Sequence, residues 1–286
     1  MSARGDEYYQ MAEKQLKKRF FKKERYQDAV DLFKKAGNSY KSTKDWSHAG
    51  DAYSRATECY KKLKNPIQAA LTAISASEMY SKELDSFENA TNMLNYAINF
   101  YKSTDDASKV GNLLCQLAEL LETQKKYDEA IKSYEEASKY YQTSREDTQA
   151  TNQLIKIGDL YCLLNRWIDA ADIYKKIAQK YLENSLTELI GCKYCTKVIL
   201  CRIAGDDTIG AESQLTELGE KSRQWKLSEE YTMLQQCLKG IEDGNYNEFN
   251  SSISKYNEYK DIDEWTKKIF DAIRDTFNDE NEEDIC

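Results

Sequence analysis

Proline is almost missing from this chain: Pro66 stands alone in 286 residues, and there are only eleven glycines. Sheet proteins need frequent Gly and Pro turns, whereas long helices joined by short polar links need few. The scarcity therefore excludes a sandwich or a barrel and predicts an all-α chain. Histidine is equally rare. His48 is the only one, so no Ser/His/Asp set can form and no histidine-rich metal cluster is available. No Gly-rich phosphate-binding motif occurs either. No apolar run approaches the roughly 18 residues that a membrane-spanning helix needs. The first residues, Met1-Ser-Ala-Arg-Gly-Asp6, lack the apolar stretch of a secretory signal, so the expectation is a cytosolic protein.

Charge is plentiful but unbalanced. The net charge is −8, which argues against broad nucleic-acid binding, since that needs a basic footprint. Charged residues make up 31% and apolar residues only 41%, a thin supply for one deep core. Such a composition suits stacked repeats, which bury a long narrow core between neighbours. The eight cysteines are scattered, mostly among apolar helix positions, as small buried thiols of a reducing compartment would be. Cys192 and Cys195 form a lone CxxC near Cys201, without the fourth ligand of a zinc site. Neither a metal nor a cofactor is expected. Acidic side chains fall beside lysines on polar helix faces, with no carboxylate pair suited to acid–base work. The expected role is a binding scaffold, not an enzyme.

A period of 20 organises the chain. An aromatic or apolar residue followed three later by a small one recurs at Tyr26/Ala29, Trp46/Ala49, Ile67/Ala70 and Phe87/Ala90. It continues at Ala107/Val110, Tyr127/Ala130, a degenerate Asp147/Ala150, and Trp167/Ala170. Four, seven and eleven residues beyond the small position come further apolar residues, for example Phe33, Ala36 and Tyr40, or Tyr134, Ala137 and Tyr141. Those offsets draw one stripe along a helix. Each unit is then one helix plus a short polar turn, with Asp45, Asn65 or Asp106 offered as N-caps. A short turn folds the next helix back antiparallel. Two units make a hairpin that resembles a lengthened tetratricopeptide repeat. The predicted fold is an all-α, right-handed tetratricopeptide-like solenoid of long antiparallel helical hairpins over residues 1–185, capped by a C-terminal helical bundle over 186–277. Residues 278–286 form an acidic tail that cannot pack by itself.

Three features point to partners. The first is the segment 17–25, between helices expected over about 5–18 and 26–41. There Lys17, Lys18, Lys22 and Lys23, with Arg19 and Arg25, surround Phe20 and Phe21. Cations beside an apolar pair suit an anionic membrane surface; alternatively the two phenylalanines pack under the first hairpin. The second is a set of lysines near helix ends, Lys44, Lys82, Lys109, Lys156, Lys193 and Lys197. On one face they would form a basic stripe for an acidic elongated partner; singly, each is an ordinary surface lysine. The third is the tail, which carries the apolar Ile285 next to its last residue.

Particular stretches carry a family resemblance. These are Lys44-Asp-Trp-Ser-His-Ala-Gly50, the run Tyr127–Tyr141, and the C-terminal pattern of Tyr256, Ile262-Asp-Glu-Trp265 and Glu282-Glu-Asp-Ile285. Over nearly its full length the chain resembles the α-type soluble NSF-attachment proteins. The resemblance implies an adaptor that binds the SNARE four-helix bundle with a concave face and recruits and stimulates the hexameric ATPase NSF. It implies a monomer when free and several copies on one SNARE complex. By the same resemblance Lys44, Lys82, Lys156, Lys197 and Arg223 occupy basic positions of the family. Two further family lysines fall on Asn112 and Asn152, with Lys109 as partial compensation. Phe20 and Phe21 fall at the start of a membrane-touching loop that is shorter here. Asp279, Glu280, Glu282, Glu283, Asp284 and Ile285 correspond to the NSF-contacting end. A generic peptide-binding repeat adaptor and a γ-type attachment protein are the rival readings.

Overall fold

A computed structural model of the chain describes residues 3–18, 22–259 and 263–283. They form helices with no strand among them. Two compact units divide at residue 150: Met1–Ala150 and Thr151–Cys286. The first contains α1 (Ala3–Leu16), α2 (Lys22–Ser42), α3 (Trp46–Lys62), α4 (Pro66–Tyr80), α5 (Phe87–Lys102), α6 (Ala107–Thr123) and α7 (Tyr127–Thr143). Helix α8 (Asp147–Leu163) begins there and continues into the second unit. The second holds α9 (Trp167–Leu182), α10 (Glu188–Ala204), α11 (Thr208–Lys221), the single turn α12 (Arg223–Lys226), α13 (Glu229–Glu242), α14 (Tyr246–Tyr259) and α15 (Glu264–Glu283). The change of packing expected near residue 185 therefore lies inside the second unit.

The 20-residue period is the spacing of the helices. All eight small positions, from Ala29 to Ala170, are buried. In the first unit each helix packs on the next in order, α1 on α2 through to α6 on α7. In the second, α10 becomes a hub that touches α9, α11, α12, α13 and α15. The strict period fades there because one helix serves many neighbours instead of two. The repeat also slips by one residue after α4, where a 3-10 turn over Leu84–Ser86 intervenes. Tyr80 is the buried aromatic there, while Ser81 is exposed.

Six three-residue links with a non-glycine residue in the middle share one geometry. The middle residue is left-handed: Lys44, Lys64, Lys125, Arg145, Asn165 and Asp206 have φ between 53° and 61°. The residue after it donates its N–H to the carbonyl five residues back, as Asp45 does to Tyr40 (3.0 Å) and Lys126 to Leu121 (3.0 Å). This closes the helix end in a Schellman arrangement. Four of these six positions carry Lys or Arg. A left-handed backbone disfavours such residues, but a cation at a helix C-terminus meets the negative end of the macrodipole. Capping of the following helix is mixed. Asn65 accepts from the Gln68 N–H (3.2 Å) and Asp106 from that of Lys109 (3.0 Å). Asp45, expected as a cap, instead takes His48 Nδ1 at 2.7 Å.

A second recurring contact fixes the distance between helices. In each case a tyrosine lies on a glycine of the preceding helix and donates its hydroxyl to the residue after that glycine. Tyr40 lies on Gly5 and donates to Asp6 (2.7 Å), and Tyr53 lies on Gly37 and donates to Asn38 (2.6 Å). Tyr80 uses Gly50 and Asp51 (2.7 Å), Tyr141 uses Gly111 and Asn112 (3.0 Å), and Tyr174 uses Gly158 and Asp159 (2.6 Å). A mid-helix glycine costs about 1 kcal/mol against alanine. Here it makes room for a whole ring, and the neighbouring acceptor satisfies a phenol that packing has taken from water.

Two expected boundaries are corrected. Helix α2 starts at Lys22, so Lys22, Lys23 and Arg25 belong to its first turn and not to a loop. Arg25 bonds back to the Lys18 carbonyl (2.6 Å), tying that turn to the end of α1. At the other terminus α15 runs to Glu283, so Asp279, Glu280, Glu282 and Glu283 continue a helix instead of forming a separate tail. No Gly or Pro interrupts that stretch, and Asp263 caps its start by accepting from the Thr266 N–H (2.8 Å). Arg19, Phe20, Phe21, Asp284 and Ile285 lie outside the described residues.

The close contacts carry a stability prediction. In Gly50→Ala the new Cβ would sit 2.5 Å from two ring carbons of Tyr80, a buried side chain held by Asp51. The clash outweighs alanine's better helix propensity, so urea unfolding should show a loss of about 1–3 kcal/mol. Unchanged stability would mean that this packing is loose.

Candidate functional site

The basic residues fall into separate groups. In the first unit the alternation of helices places the α2–α3, α4–α5 and α6–α7 links at one end of the hairpins, and the α1–α2, α3–α4 and α5–α6 links at the other. Lys44 is the exposed left-handed residue of the α2–α3 link. Lys82 leaves the end of α4 and places its Nζ 4.4 Å from the centre of the Trp46 ring, with Glu78 3.9 Å away. Lys82 therefore covers the ring that begins α3, two residues after Lys44.

Lys126, in the α6–α7 link, repeats the arrangement over Phe87 at 4.9 Å. Sequence reasoning missed it. Its signal was there: both stacked rings, Trp46 and Phe87, occupy the first position of a repeat, and each takes a lysine from the link two helices on. Such a cation–π contact steadies the lysine while leaving its charge available at the surface. Lys109, by contrast, lies near the start of α6 beside Tyr101 (5.9 Å), at the opposite end of the hairpins. The length of a helix, roughly 25 Å, separates the two ends. The expected stripe is thus not a single line of helix ends in this unit. Asn112 has a structural task here, since its carbonyl oxygen accepts the Tyr141 hydroxyl. A lysine there could not accept that bond.

The second unit gathers Lys156, Lys193 and Lys197. Lys156 is exposed on α8, one turn before Asp159. Lys197, on α10, bridges to Asp159 (3.4 Å) and sits between the rings of Tyr174 (4.8 Å) and Trp265 (4.2 Å). Its side chain keeps only 23% of its surface. Lys193 is exposed one turn earlier, and both lysines act on the carboxyl of Asp263. Burial raises that carboxyl, but the Thr266 hydrogen bonds and the two lysines outweigh it and hold it below its usual range. Lys197 is therefore a docking residue for α15 as well as a surface charge. Arg223 is exposed on α12, which is anchored by Trp225: its Nε1 donates to Thr196 (3.2 Å) and its ring is buried.

Cys162 and Cys201 meet, with their sulfurs 3.8 Å apart. Cys195, Cys201 and Cys237 are buried, and burial raises their thiols, those of Cys195 and Cys237 to about 12. Cys192 Sγ lies 3.6 Å from the Ser222 hydroxyl. Among the described residues no three His, Cys, Asp or Glu side chains gather as a metal site, and no helix is long and apolar enough to cross a membrane.

Stacked hairpins presenting grouped lysines define the class as a helical-repeat scaffold. The chain belongs to the soluble NSF attachment protein family, SNAP, whose model matches residues 3–278. It is 30% identical to an alpha-soluble NSF attachment protein of Dictyostelium discoideum, over 68% of this chain and 67% of that one. It is 28% identical to the vesicular-fusion protein SEC17 of Komagataella phaffii, over 90% and 87%. With the human alpha-soluble NSF attachment protein the identity is 24%, over 90% and 86%. Among solved structures, the apo form of RapI covers 93% of this chain and 99% of that one, at 13% identity and a TM-score of 0.42; at that distance it adds nothing about function.

The Lys197 clamp generates a prediction. Lys197→Met should loosen α15 and speed hydrogen exchange of its amides roughly tenfold, the size of a partly desolvated cation–π contact. Lys156→Met should leave α15 unchanged. Equal protection in both variants would remove Lys197 from the docking of α15.

Proposed function

We propose that the protein is an adaptor that binds assembled SNARE complexes on membranes and recruits and stimulates the ATPase NSF, so that SNAREs are disassembled in vesicle fusion and transport. Membership of the soluble NSF attachment family over residues 3–278 carries this reading. The relatives' names, attachment and vesicular-fusion proteins, agree with it. In this role the protein has no catalytic residue and needs no cofactor. It is monomeric when free and acts in several copies on one SNARE bundle, peripheral on the cytosolic face of an anionic membrane.

The residues take distinct parts. Lys44 and Lys82 at the Trp46 end of the first unit, and Lys156 and Lys193 in the second, offer charge to acidic positions of the SNARE bundle. Lys109 and Arg223 add outlying cations, and Lys197 contributes while it holds α15. Helix α15 and the stretch from Asp279, in its last turns, to Ile285 deliver the acidic end to NSF. The segment around Lys17, Lys18, Phe20, Phe21, Lys22 and Lys23 touches the membrane.

Two measurements test this. Lys44→Gly removes a charge while suiting the left-handed backbone there, and Lys156→Gln removes another from an exposed site. Together they should weaken binding to soluble SNARE complexes several-fold at low salt, and the gap from the unaltered protein should close as salt rises. Affinity unchanged at every ionic strength would overturn the electrostatic assignment. Truncation after Asp279 should abolish stimulation of NSF while sparing SNARE binding; retained stimulation would overturn the assignment of the end.

A further inference from the structure

The α3–α4 link has a composition unlike its surroundings. From Cys59 to Ser77 there is no Asp or Glu, in a chain whose net charge is −8. Lys61, Lys62 and Lys64 cluster there. Lys61 is occupied, with its Nζ 3.7 Å from the centre of the Tyr96 ring. Lys62 and Lys64 are exposed, and Lys64 stands at the tip, in the left-handed position. Just beyond it Ile67 is 58% exposed, and Leu71, one helical turn further along α4, is 41% exposed. Ile67 is the second residue of α4, and the second residues of α3, α5 and α7, Ser47, Glu88 and Asp128, are exposed but polar. Among the described helices of the first unit only α4 has a large aliphatic side chain at that position.

This link shares an end of the first unit with the α1–α2 connection. Leu16, at the end of α1, Tyr26, in the first turns of α2, and Leu63, in the α3–α4 link, all pack against one core cluster that includes Ala12, Val30, Phe33 and Ala69. The exposed Lys17, Lys18 and Lys23 therefore lie at the same end as Lys62, Lys64 and Ile67. The surface is a projecting tip and not a groove. A tip can enter a plane, whereas it cannot enclose a helix. Cations beside an aliphatic side chain, in a link that carries no Asp or Glu of its own, suit a surface of anionic headgroups over hydrocarbon.

We propose that the α3–α4 link is a second membrane-contacting element, in which Lys62 and Lys64 meet anionic lipid headgroups and Ile67 enters the interface. The inference deepens the proposed membrane contact at residues 17–25 and rests on it. Two neighbouring contacts would set the orientation of the first unit on the bilayer, which a single point of attachment cannot do. They would also compensate for a short first loop, because single weak anchors bind membranes only marginally and paired ones hold.

The test uses the full-length protein alone with phosphatidylcholine vesicles, with and without phosphatidylserine, read by flotation. Lys62→Gln with Lys64→Gly should lower partitioning onto phosphatidylserine vesicles roughly fivefold per lysine, and the difference should vanish in 0.5 M salt, roughly a 4 Å screening length. Ile67→Ser should lower it several-fold at either salt, since its contribution is apolar. All three side chains are exposed, and unchanged melting temperatures check the fold. Wild-type partitioning by both variants, with loss on Phe20→Ser and Phe21→Ser, would overturn the second contact and leave the first standing. No binding of the unaltered protein to either vesicle would overturn both. Normal lipid binding with weakened binding to soluble SNARE complexes would assign the link to a protein partner and overturn the proposal.

Discussion

The stack depends on how closely one helix can approach the next, and in four helix pairs of the first unit the tyrosine–glycine contact sets that approach. A ring laid on a glycine brings two backbones together, and the hydroxyl then reaches the residue beside that glycine. The acceptor is Asp or Asn in every instance: Asp6, Asn38, Asp51, Asn112 and Asp159. Because a ring seated there has one direction, the contact fixes register as well as distance. Small buried hydroxyls add to this. Ser77 donates to the Ala90 carbonyl (2.8 Å) and Ser138 to that of Ala150 (3.1 Å), each reaching the small position of the next helix. A stack built from such pairs is stabilised by neighbours alone, as expected for a repeat protein.

The turns bear on function because they place charge. Closing a helix in the left-handed conformation puts one side chain at the tip of each hairpin, and several of those side chains are Lys or Arg. Favourable interaction with the helix dipole explains a cation there without any partner. The same placement also presents a cation to whatever approaches the edge. Lys44 therefore serves the fold and the proposed binding surface together. Lys197 does so more strongly, since the ion pair with Asp159 and the rings of Tyr174 and Trp265 make it part of the docking of α15. Changes at such residues mix two effects, whereas Lys156 reports charge alone.

The structure also separates two ends of the first unit. One carries Lys44, Lys82 and Lys126 beside half-buried aromatic rings; the other carries Lys17, Lys18, Lys62 and Lys64 around an exposed Ile67. Rings beneath lysines give a firm charged edge suited to a protein partner. An uncovered aliphatic side chain among lysines gives an edge suited to lipid. Opposite ends of antiparallel helices can thus take different partners without interfering.

The 20-residue period, read from the sequence alone, determined that the chain is a stack of helices. It located all eight buried small positions, since a helical stripe is a one-dimensional property that spacing records. The resemblance at Lys44–Gly50, Tyr127–Tyr141 and the C-terminal pattern determined the family. What the sequence could not record is which residues meet across helices. The pairing of Gly50-Asp51 with Tyr80 joins positions 29 to 30 apart, and that of Lys82 with Trp46 joins positions 36 apart; neither follows from local spacing. For the same reason the lysines looked like one stripe, although Lys109 lies at the opposite end of the hairpins from Lys44 and Lys82. The sequence period groups Ile67 with Trp46 and Phe87, whereas the structure makes it the second residue of α4, where Ser47 and Glu88 of the neighbouring helices are exposed, and so leaves it uncovered. Periodicity fixes which face of a helix turns inward, but the contact between two faces, and the charge left at their edges, is decided by tertiary packing.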